Sequence, residues 1–360
     1  MASNADDPEI VPLDFAPTRT YLDTATYGLA PTAVAEVVIA AERARLEGRF
    51  RPTDVDEAVA ASRARWGALV GAPAERVAVA AQVATAVGLV AAALPAGTTV
   101  LVPEGEFTSV LWPFLARAGE GIRTRTVPLA GLVEAAAAPD VGLVAASAVQ
   151  SADGAVLDVA ALVTAAHGHG ARALVDVTQG AGWLPLADAC AAADWVVGAG
   201  YKWLMAPRGT AFLAGTEEAL DLLTPVHASW FAGQEPWESC YGGPLRLADD
   251  ARRFDLSPAW PAWLGQRVAL DLLAEVGVDA VQRHDVELAN RLRAGLGLAP
   301  GDSAIVSLSV PDGTAERLAA ADIAASVRAG RLRLSCHVHN TAADVDRALD
   351  VLTAARTAAA

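Results

Sequence analysis

"GAGYKWLMAPRGTAFL", residues 198–213, places one lysine, Lys202, in a mild and largely apolar run. The aromatic residues Tyr201 and Trp203 flank this lysine, and a strand-like segment, "ADWVVGAG", precedes it. Lysine is among the residues least often buried, because removing its charge from water is costly unless its pKa falls. A lysine in this setting is therefore expected to have a chemical role that offsets its burial.

Seven short runs of β-branched and apolar residues predict the strands of one sheet. They are "VAVAA" (77–81), "TTVLVPE" (98–104), "GIRTRTVPL" (121–129), "VGLVAASAV" (141–149), "ALVDVTQ" (173–179), "WVVGAGY" (195–201) and "TAFLAG" (210–215). Ala-rich helical stretches lie between several of them. Strands that are apolar on both faces and alternate with helices predict an α/β fold with a central, mostly parallel sheet. Ligands bind such sheets at the carboxyl ends of the strands.

Beyond residue 240 the pattern changes to a smaller α+β arrangement. A long helical segment covers 261–296, and the strand candidates "AIVSLSV" (304–310) and "RLRLSCHV" (331–338) follow it. We therefore expect a large domain over residues 1–240 and a small C-terminal α+β domain over 241–360. Residues 226–258, rich in Trp, Gly and Pro, are expected to form a long loop region.

The composition excludes several classes of protein. The chain has 360 residues, of which 53% are hydrophobic and 19% charged, as is typical of a compact soluble protein. Its net charge of −15 argues against a nucleic-acid binder, which would carry a basic surface. The three cysteines form no CxxC pair, so neither a disulfide framework nor a zinc site is indicated. The acidic first ten residues show no secretory signal, and we expect a cytoplasmic protein.

One uncharged stretch, residues 77–103, is long enough to be mistaken for a membrane span. The sequence "PAG" interrupts it at 95–97, and Gln82 and several threonines add polarity. A strand, a buried helix and a turn into a second strand explain it better, so no membrane span is expected. The histidine pairs "HGH" and "HVH" are interpreted as structural, and no metal site is expected.

An aspartate and a lysine are expected at the same edge of the predicted sheet. Asp176 lies near the end of one buried strand, and Lys202 follows the next strand. This arrangement fits pyridoxal phosphate, because the lysine forms a Schiff base with the aldehyde while the carboxylate pairs with the ring nitrogen. The spacing alone leaves open a surface or salt-bridged lysine beside a structural aspartate.

Three widely separated segments, in this order, resemble the class V aminotransferase group of pyridoxal-phosphate enzymes, which have fold type I. The segments are "YLDTATYGLAPTAV" (21–34), "LVDVTQGAGWLP" (174–185) with "DWVVGAGYKWLMAPRGTAFL" (194–213), and "RLRLSCHVHNTAADVDRAL" (331–349). The group includes cysteine desulfurases, kynureninases, isopenicillin-N-epimerase-like proteins and carbon–sulfur lyases. The resemblance implies a pyridoxal 5′-phosphate cofactor, an amino-acid substrate and a homodimer.

The resemblance assigns roles around the cofactor ring. Lys202 matches the Schiff-base lysine, and Asp176 matches the partner of the pyridinium nitrogen. Gln179 matches the residue that bonds near the phenolic oxygen of the cofactor, with Ser151 assisting it. Tyr201 resembles a phosphate-binding tyrosine of the kynureninase branch.

The resemblance also places the cofactor phosphate at the strand-to-helix turn in "AAQVATAVGL" (80–89). Gln82, Val83 and Ala84 would offer backbone N–H groups at a helix N-terminus, which favours an anion, and Thr85 would add a hydroxyl. Where the family often has Gly-Thr-Pro reaching the phosphate of the partner subunit, this chain reads "FDLSPAW", in which Ser257 keeps a hydroxyl.

The substrate residues come from both ends of the chain. Arg333 matches the arginine that binds a substrate carboxylate, a planar bidentate contact that lysine replaces poorly. Tyr27 and Gly28 are expected close to the substrate, and Trp230 belongs to an aromatic-rich loop that is expected to line the pocket.

Two departures from the family pattern bear on the reaction. Phe107 stands where cysteine desulfurases stack a histidine on the ring, which resembles kynureninase-like members. The loop before the closing motif, "AADIAASVRAGRLR", holds no cysteine, so the nucleophile of a desulfurase is missing, and Cys336 is interpreted as core.

The resemblance implies that Lys202 removes the α-proton of the substrate, after which the routes diverge. We favour β-elimination of a cysteine S-conjugate, as in a carbon–sulfur lyase, because it needs no cysteine nucleophile. Reprotonation at the cofactor would make an aminotransferase, reprotonation on the opposite face an epimerase, and water attack on a γ-carbonyl a kynureninase-like hydrolase. An inactive cofactor-binding regulatory protein is the non-enzyme alternative, against which the intact Lys202–Asp176 pair argues.

Overall fold

The computed structural model describes residues 13–359 of the chain. The strands are β1 (Thr20–Tyr21), β2 (Val77–Ala80), β3 (Thr99–Pro103), β4 (Arg123–Val127), β5 (Leu143–Ser147), β6 (Arg172–Asp176), β7 (Trp195–Ala199), β8 (Ala211–Gly215), β9 (Ile305–Leu308), β10 (Ile323–Ala324), β11 (Ser326–Arg328) and β12 (Arg331–Ser335). The helices are α1 (Thr32–Leu46), α2 (Asp56–Leu69), α3 (Val83–Ala93), α4 (Thr108–Leu115), α5 (Leu132–Ala136), α6 (Val159–His167), α7 (Ala187–Cys190), α8 (Glu217–Asp221), α9 (Trp260–Val276), α10 (Val278–Gly295), α11 (Thr314–Ala320) and α12 (Ala342–Ala359).

The central sheet has seven strands in the order β2-β8-β7-β6-β5-β3-β4. The pairs among β7, β6, β5, β3 and β4 are parallel, whereas β8 runs antiparallel to both of its neighbours. Each of the seven strands predicted from the sequence is present in this sheet. The prediction of an α/β fold with a mostly parallel central sheet is confirmed.

The sheet is buried on both faces because successive residues of its inner strands are apolar. Leu174 and Val197 pack into the cluster that contains α3, while Val175 and Val196 pack into a second cluster on the opposite face. Side chains alternate between the two faces of a strand, so a strand covered on both sides must be apolar throughout. The uninterrupted apolar runs in the sequence follow from this double burial.

The C-terminal part of the chain builds a separate three-stranded antiparallel sheet in the order β11-β12-β9. Helices α10 and α12 cover it, and their apolar residues form one cluster with those of the sheet. Strand β1, near the N-terminus of the described residues, pairs with β10, and Asp23 forms a bridge with Ser335. Residues 20–28 are therefore held between the central sheet and this smaller sheet. By contrast, α9 packs against α1 and α2.

Within residues 13–359, no helix is long and apolar enough to cross a membrane. The uncharged stretch 77–103 contains β2, α3 and β3, as the sequence suggested. The acidic first ten residues, in which no secretory signal is expected, lie outside the described residues.

Candidate active site

A cavity of about 420 Å³ lies at the carboxyl ends of β6 and β7. Its volume falls within the range of roughly 300–1,000 Å³ that is usual for small-molecule sites. Predicted site residues from five separated segments line it: Gln82, Val83, Phe107, Ser151, Asp176, Gln179, Tyr201 and Lys202. The parallel strands bring these segments together, because their carboxyl ends share one edge of the sheet.

Lys202 is 5% exposed and lines this cavity. Its ammonium nitrogen lies 5.2 Å from the ring centroid of Phe107 and 5.7 Å from that of Tyr201. Among residues 13–359 this nitrogen forms no hydrogen bond or ion pair, whereas the backbone carbonyl of Lys202 accepts a hydrogen bond from the N–H of Met205. Burial lowers the pKa of Lys202 to about 8, against the attraction of Asp176 and with the repulsion of nearby guanidinium groups. The chain has 26 arginines but no other lysine. The presence of a single lysine is a signal in the sequence that the motifs alone did not use.

Asp176 is the last residue of β6 and is 4% exposed. Its Oδ1 accepts a hydrogen bond of 2.8 Å from the N–H of Thr178, and its Oδ2 accepts none from the described residues. Burial raises the pKa of Asp176 to about 6, although hydrogen bonding from Thr178 opposes the shift. The group is therefore mainly a carboxylate at neutral pH, with one oxygen available to a ligand.

Gln179 connects the cavity wall to three other segments. Its side-chain N–H group donates to the Ser151 hydroxyl and to the Ala25 carbonyl, both at 3.0 Å. Its carbonyl oxygen accepts a hydrogen bond of 2.8 Å from the indole of Trp203. These contacts fix the side-chain amide, and they tie the N-terminal segment to the residue that follows Lys202.

Arg333 is 1% exposed and lies directly behind Ser151, so it does not line the cavity itself. Its guanidinium donates to the Ser151 carbonyl at 2.5 Å and to the Thr26 hydroxyl at 2.7 Å, and it lies 3.8 Å from the Asp23 carboxylate. Burial lowers the pKa of Arg333 to about 10. Arg331, two residues earlier, is instead exposed and bonds to Ser307 and Ser309.

Phe107 is held over the cavity by a buried carboxylate that the sequence analysis missed. Glu106 accepts hydrogen bonds from the N–H of Phe107 at 2.7 Å and from the N–H of Ser147, at the end of β5, at 2.8 Å. An aromatic ring fixed in this way suits stacking on a planar ligand. Glu106 is only 5% exposed because β5 covers it, and the local sequence around residue 106 does not show that contact.

Further polar residues line the cavity although the sequence analysis did not select them. The hydroxyls of Thr108 and Ser109 come from the first turn of α4, directly after Phe107. Arg208 and Gly209 come from the loop before β8. Arg208 and Gly209 lie in the segment 198–213, and Thr108 and Ser109 directly follow the predicted Phe107. Their proximity to predicted residues was the available signal.

Two predicted N-terminal residues lie beside the lysine loop and outside the cavity lining. The N–H of Gly28 donates to the Tyr201 carbonyl at 2.8 Å, and a Cβ at this position would collide with the Lys202 carbonyl oxygen. The ring of Tyr27 lies 5.9 Å from that of Tyr201 and is 44% exposed. Gly28 therefore permits a close backbone approach that no larger residue allows.

The other predicted residues are also outside the cavity lining. Ala84 lies in the first turn of α3, and Thr85 lines a separate small cavity next to Phe254. Trp230 packs against Trp237, with ring centroids 4.7 Å apart. Ser257 is exposed.

The histidines that follow β12 make structural contacts. His337 is fully buried, lies 2.8 Å from the Asp285 carboxylate through Nδ1, and donates from Nε2 to the Trp203 carbonyl at 3.0 Å. Burial lowers the pKa of His337 to about 4. The backbone next to Lys202 is thus attached to α10. In the part of the chain that the structure describes, no three His, Cys, Asp or Glu residues are grouped to hold a metal ion.

Comparisons with known proteins agree with this geometry. The family model of class V aminotransferases matches residues 30–307. The isopenicillin N epimerase of Amycolatopsis lactamdurans is 31% identical over 391 residues, covering 96% of this chain and 96% of that protein. Two solved structures share the fold. The cystine C–S lyase C-DES with cysteine persulfide has a TM-score of 0.84 at 22% identity, covering 93% of this chain and 97% of that one. The cysteine desulfurase of Thermococcus onnurineus NA1 has a TM-score of 0.81 at 21% identity, covering 94% and 95%.

The residues in the cavity fit pyridoxal phosphate on three independent grounds. Among the described residues, the buried amine of Lys202 has no partner, which suits an aldehyde, and the buried carboxylate of Asp176 has an oxygen that accepts no hydrogen bond, which suits a protonated ring nitrogen. Gln82 caps α3 without a side-chain hydrogen bond, so the first N–H groups of the helix are available to an anion. Together with the family match, the fold and the site thus define a pyridoxal-phosphate enzyme of fold type I. Within that class, the chain belongs to the class V aminotransferase family, because the family model matches more than half of it.

Proposed function

We propose that Lys202 removes the α-proton of an amino-acid substrate and that β-elimination of a cysteine S-conjugate follows. The observation that carries this proposal is a cavity with one amine base and, among the described residues, no cysteine. When bound, pyridoxal phosphate supplies an electron sink that stabilises negative charge at the α-carbon. The residues of the chain then have to hold the substrate, accept its proton and let the sulfur leave.

Lys202 is suited to be the base because burial lowers its pKa to about 8. An amine with this pKa has a substantial neutral fraction near physiological pH and still holds a proton well enough to accept one. Asp176, mainly ionised above its pKa of about 6, keeps the ring nitrogen protonated. Lys202 thereby accepts the proton, and Asp176 stabilises the charge on the ring.

The cysteines of the chain are not placed to trap the departing sulfur. Cys190 and Cys336 are buried away from the cavity, and burial raises the pKa of both thiols above the usual range. Cys240 is exposed and does not line the cavity. In the proposed reaction the bond between the β-carbon and sulfur breaks, sulfur leaves as the thiol, and one water is consumed to give pyruvate and ammonia.

Epimerisation at the α-carbon is the second candidate. The isopenicillin N epimerase of Amycolatopsis lactamdurans aligns with nearly the whole chain, which favours this alternative. Inversion needs a proton donor on the face opposite the base. Tyr201 is among the residues that line the cavity, and burial raises the pKa of its hydroxyl, which therefore stays protonated.

Incubations with three sets of substrates distinguish these fates. The holoenzyme is mixed with an L-cysteine S-conjugate in D₂O, and pyruvate, free thiol and the chirality of the remaining substrate are measured. We expect pyruvate and thiol in equal amounts. A deuterated D-isomer without pyruvate would establish epimerisation instead. Alanine formed from a supplied keto acid would indicate transamination, and alanine formed from kynurenine would indicate hydrolysis.

We propose Arg333 as the residue that binds the substrate carboxylate. It is buried beside the cavity wall, and among the described residues its one carboxylate neighbour, Asp23, lies 3.8 Å away. Arg333→Gln should weaken amino-acid binding by at least about tenfold, because the substrate carboxylate loses a charge-assisted contact. Titration with substrate, followed through the visible band of the bound cofactor, measures this affinity, and the band before titration should be unchanged.

Arg331→Gln is the matched control, since Arg331 lies on the same strand but bonds to Ser307 and Ser309 at the surface. If the Arg331 variant loses substrate affinity while the Arg333 variant retains it, the assignment through β12 is wrong.

We further propose a cytoplasmic homodimer. Trp112 and Leu115 of α4, together with Tyr241, are exposed apolar side chains of the kind found at protein interfaces. Ser257 is exposed as well, as a residue that serves a second protomer would be. Sedimentation analysis of the holoenzyme tests this proposal, and a monomer at micromolar concentration would contradict it.

A further inference from the structure

Arg208 is a cation of the cavity that has no ionic partner. Among residues 13–359 it forms no salt bridge and no side-chain hydrogen bond, although it lines the same wall as Lys202. Its guanidinium carbon lies 5.3 Å from the ring centroid of Tyr201, a cation–π contact. Arg208 is exposed to solvent, so its position in the cavity lining beside Lys202, and not the missing ion pair alone, makes its guanidinium available to an anionic ligand group.

The sheet register shows which end of the cavity Arg208 occupies. Strand β2 pairs antiparallel with β8, and the last residue of β2, Ala80, lies opposite the first residue of β8, Ala211. The segment that leaves β2 and the loop that enters β8 therefore lie side by side. That places Arg208 beside Gln82 and the start of α3, and these residues line one cavity.

The start of α3 is itself prepared for an anion. This helix has 11 residues, and Gln82 provides no side-chain hydrogen bond to its first turn, so the N–H groups of Val83 and Ala84 remain available. The ammonium group of Lys202, a residue that is 5% exposed, has no hydrogen-bond partner among residues 13–359 and points to a ligand in the same cavity as an independent observation.

We propose that Arg208 binds the phosphate of pyridoxal phosphate together with the first turn of α3. A guanidinium offers parallel N–H groups that match phosphate oxygens, and the helix N-terminus adds further donors. The ring of Tyr201 holds the guanidinium from one side. The inference rests on the cofactor and is independent of the reaction that the enzyme catalyses.

The opposite end of the cavity is available for the substrate. Ser151, which Arg333 contacts, follows β5, and β5 is separated from β8 by β6 and β7 in the sheet. A phosphate held at α3 and a carboxylate held near Ser151 would thus lie on opposite sides of Asp176 and Lys202. Arg208 would bind the phosphate and Arg333 the substrate carboxylate, so the two arginines lie on different elements at opposite ends of the cavity.

The test compares two forms of the cofactor that differ only in the phosphate. The full chain is freed of cofactor, and dissociation constants for pyridoxal phosphate and for pyridoxal are measured by the visible absorption of each complex. Arg208→Gln should weaken pyridoxal phosphate binding by at least about tenfold and leave the affinity for pyridoxal unchanged. Arg208→Lys should lie between, because lysine keeps the charge without the planar fork. Arg347→Gln, an exposed arginine on α12, is the matched control and should change neither constant.

Inorganic phosphate provides a second readout that does not require the aldehyde. It should compete with pyridoxal phosphate for the unmodified protein and compete markedly less for Arg208→Gln. The proposal is overturned if the variant weakens both cofactor forms equally, which indicates a packing role, or if it leaves both unchanged. It is likewise overturned if cofactor affinity is retained and only the affinity for amino-acid substrate falls, since Arg208 would then bind the substrate.

Discussion

Lys202→Met is expected to abolish turnover and covalent cofactor attachment while making the cofactor-free protein more stable. The reason is that Lys202 is 5% exposed and its amine has no hydrogen-bond partner among the described residues, so its charge is buried at a cost. Burial lowers the pKa of Lys202 from 10.5 to about 8. At about 1.4 kcal/mol per pKa unit, replacement by an apolar side chain of similar volume should raise the free energy of unfolding by up to about 3 kcal/mol at pH 7.

The pH dependence of this gain follows from the direction of the shift. Because the folded-state pKa is lowered, the cost of the charge is fully present below pH 8 and disappears as pH rises through 10.5. Urea unfolding of the cofactor-free proteins at pH 7 and at pH 10 measures the difference, which should be larger at pH 7. Lys202→Arg is the control, since it keeps a charge without a base and should lose turnover without gaining stability.

The single lysine of the chain gives a direct probe of the same group. An amine-selective reagent should label the cofactor-free protein at Lys202 and at the N-terminus only, and labelling of residue 202 should have a midpoint near pH 8. The Met variant should carry the N-terminal label alone. A labelling midpoint near pH 10.5, or a Met variant less stable than the unmodified protein at pH 7, would contradict the burial argument.

Asp176→Asn should retain some cofactor but lose several orders of magnitude in turnover. An amide does not stabilise a protonated ring nitrogen, so the ring would no longer withdraw electrons from the α-carbon. In the unmodified enzyme, turnover should also fall as pH drops through about 6, because Asp176 then takes up a proton. Steady-state assays of both proteins over this pH range check the prediction, with the amount of bound cofactor measured in parallel.

Asp194→Asn is the matched control for Asp176. Asp194 is equally buried and bonds to the backbone of Ala173 in the same sheet, but it lies before β7 and does not line the cavity. Its loss should reduce stability and leave turnover per folded molecule unchanged. Near-normal turnover of Asp176→Asn would mean that another acid serves the ring.

The local sequence predicted those strands that have a recognisable residue pattern of their own. Every strand of the central sheet was visible as an apolar run, since a doubly buried strand must be apolar at each position. The short strands β1, β10 and β11 were not predicted. They have two or three residues each, and β1 exists only because Thr20 and Tyr21 meet β10, roughly 300 residues later in the chain.

The same distinction applies to the cavity. The motifs identified Lys202, Asp176 and Gln179, because their positions at strand ends are a local property of the chain. The resemblance selected Arg333, and the tertiary structure shows that this residue is buried against Ser151 while Arg331, two residues earlier on β12, is exposed. Burial depends on which distant segments cover a side chain, and neighbouring residues do not encode it.

The sequence by itself therefore determined the fold class and the chemistry available at the site, since it supplies a single lysine at the end of an apolar strand. The tertiary structure decided the properties of that lysine. Its lowered pKa reflects burial together with charges from Arg208, Arg328 and Arg333, which three separate loops and strands contribute. Electrostatic energies sum over all nearby charges regardless of chain order, so they are fixed only once the chain has folded.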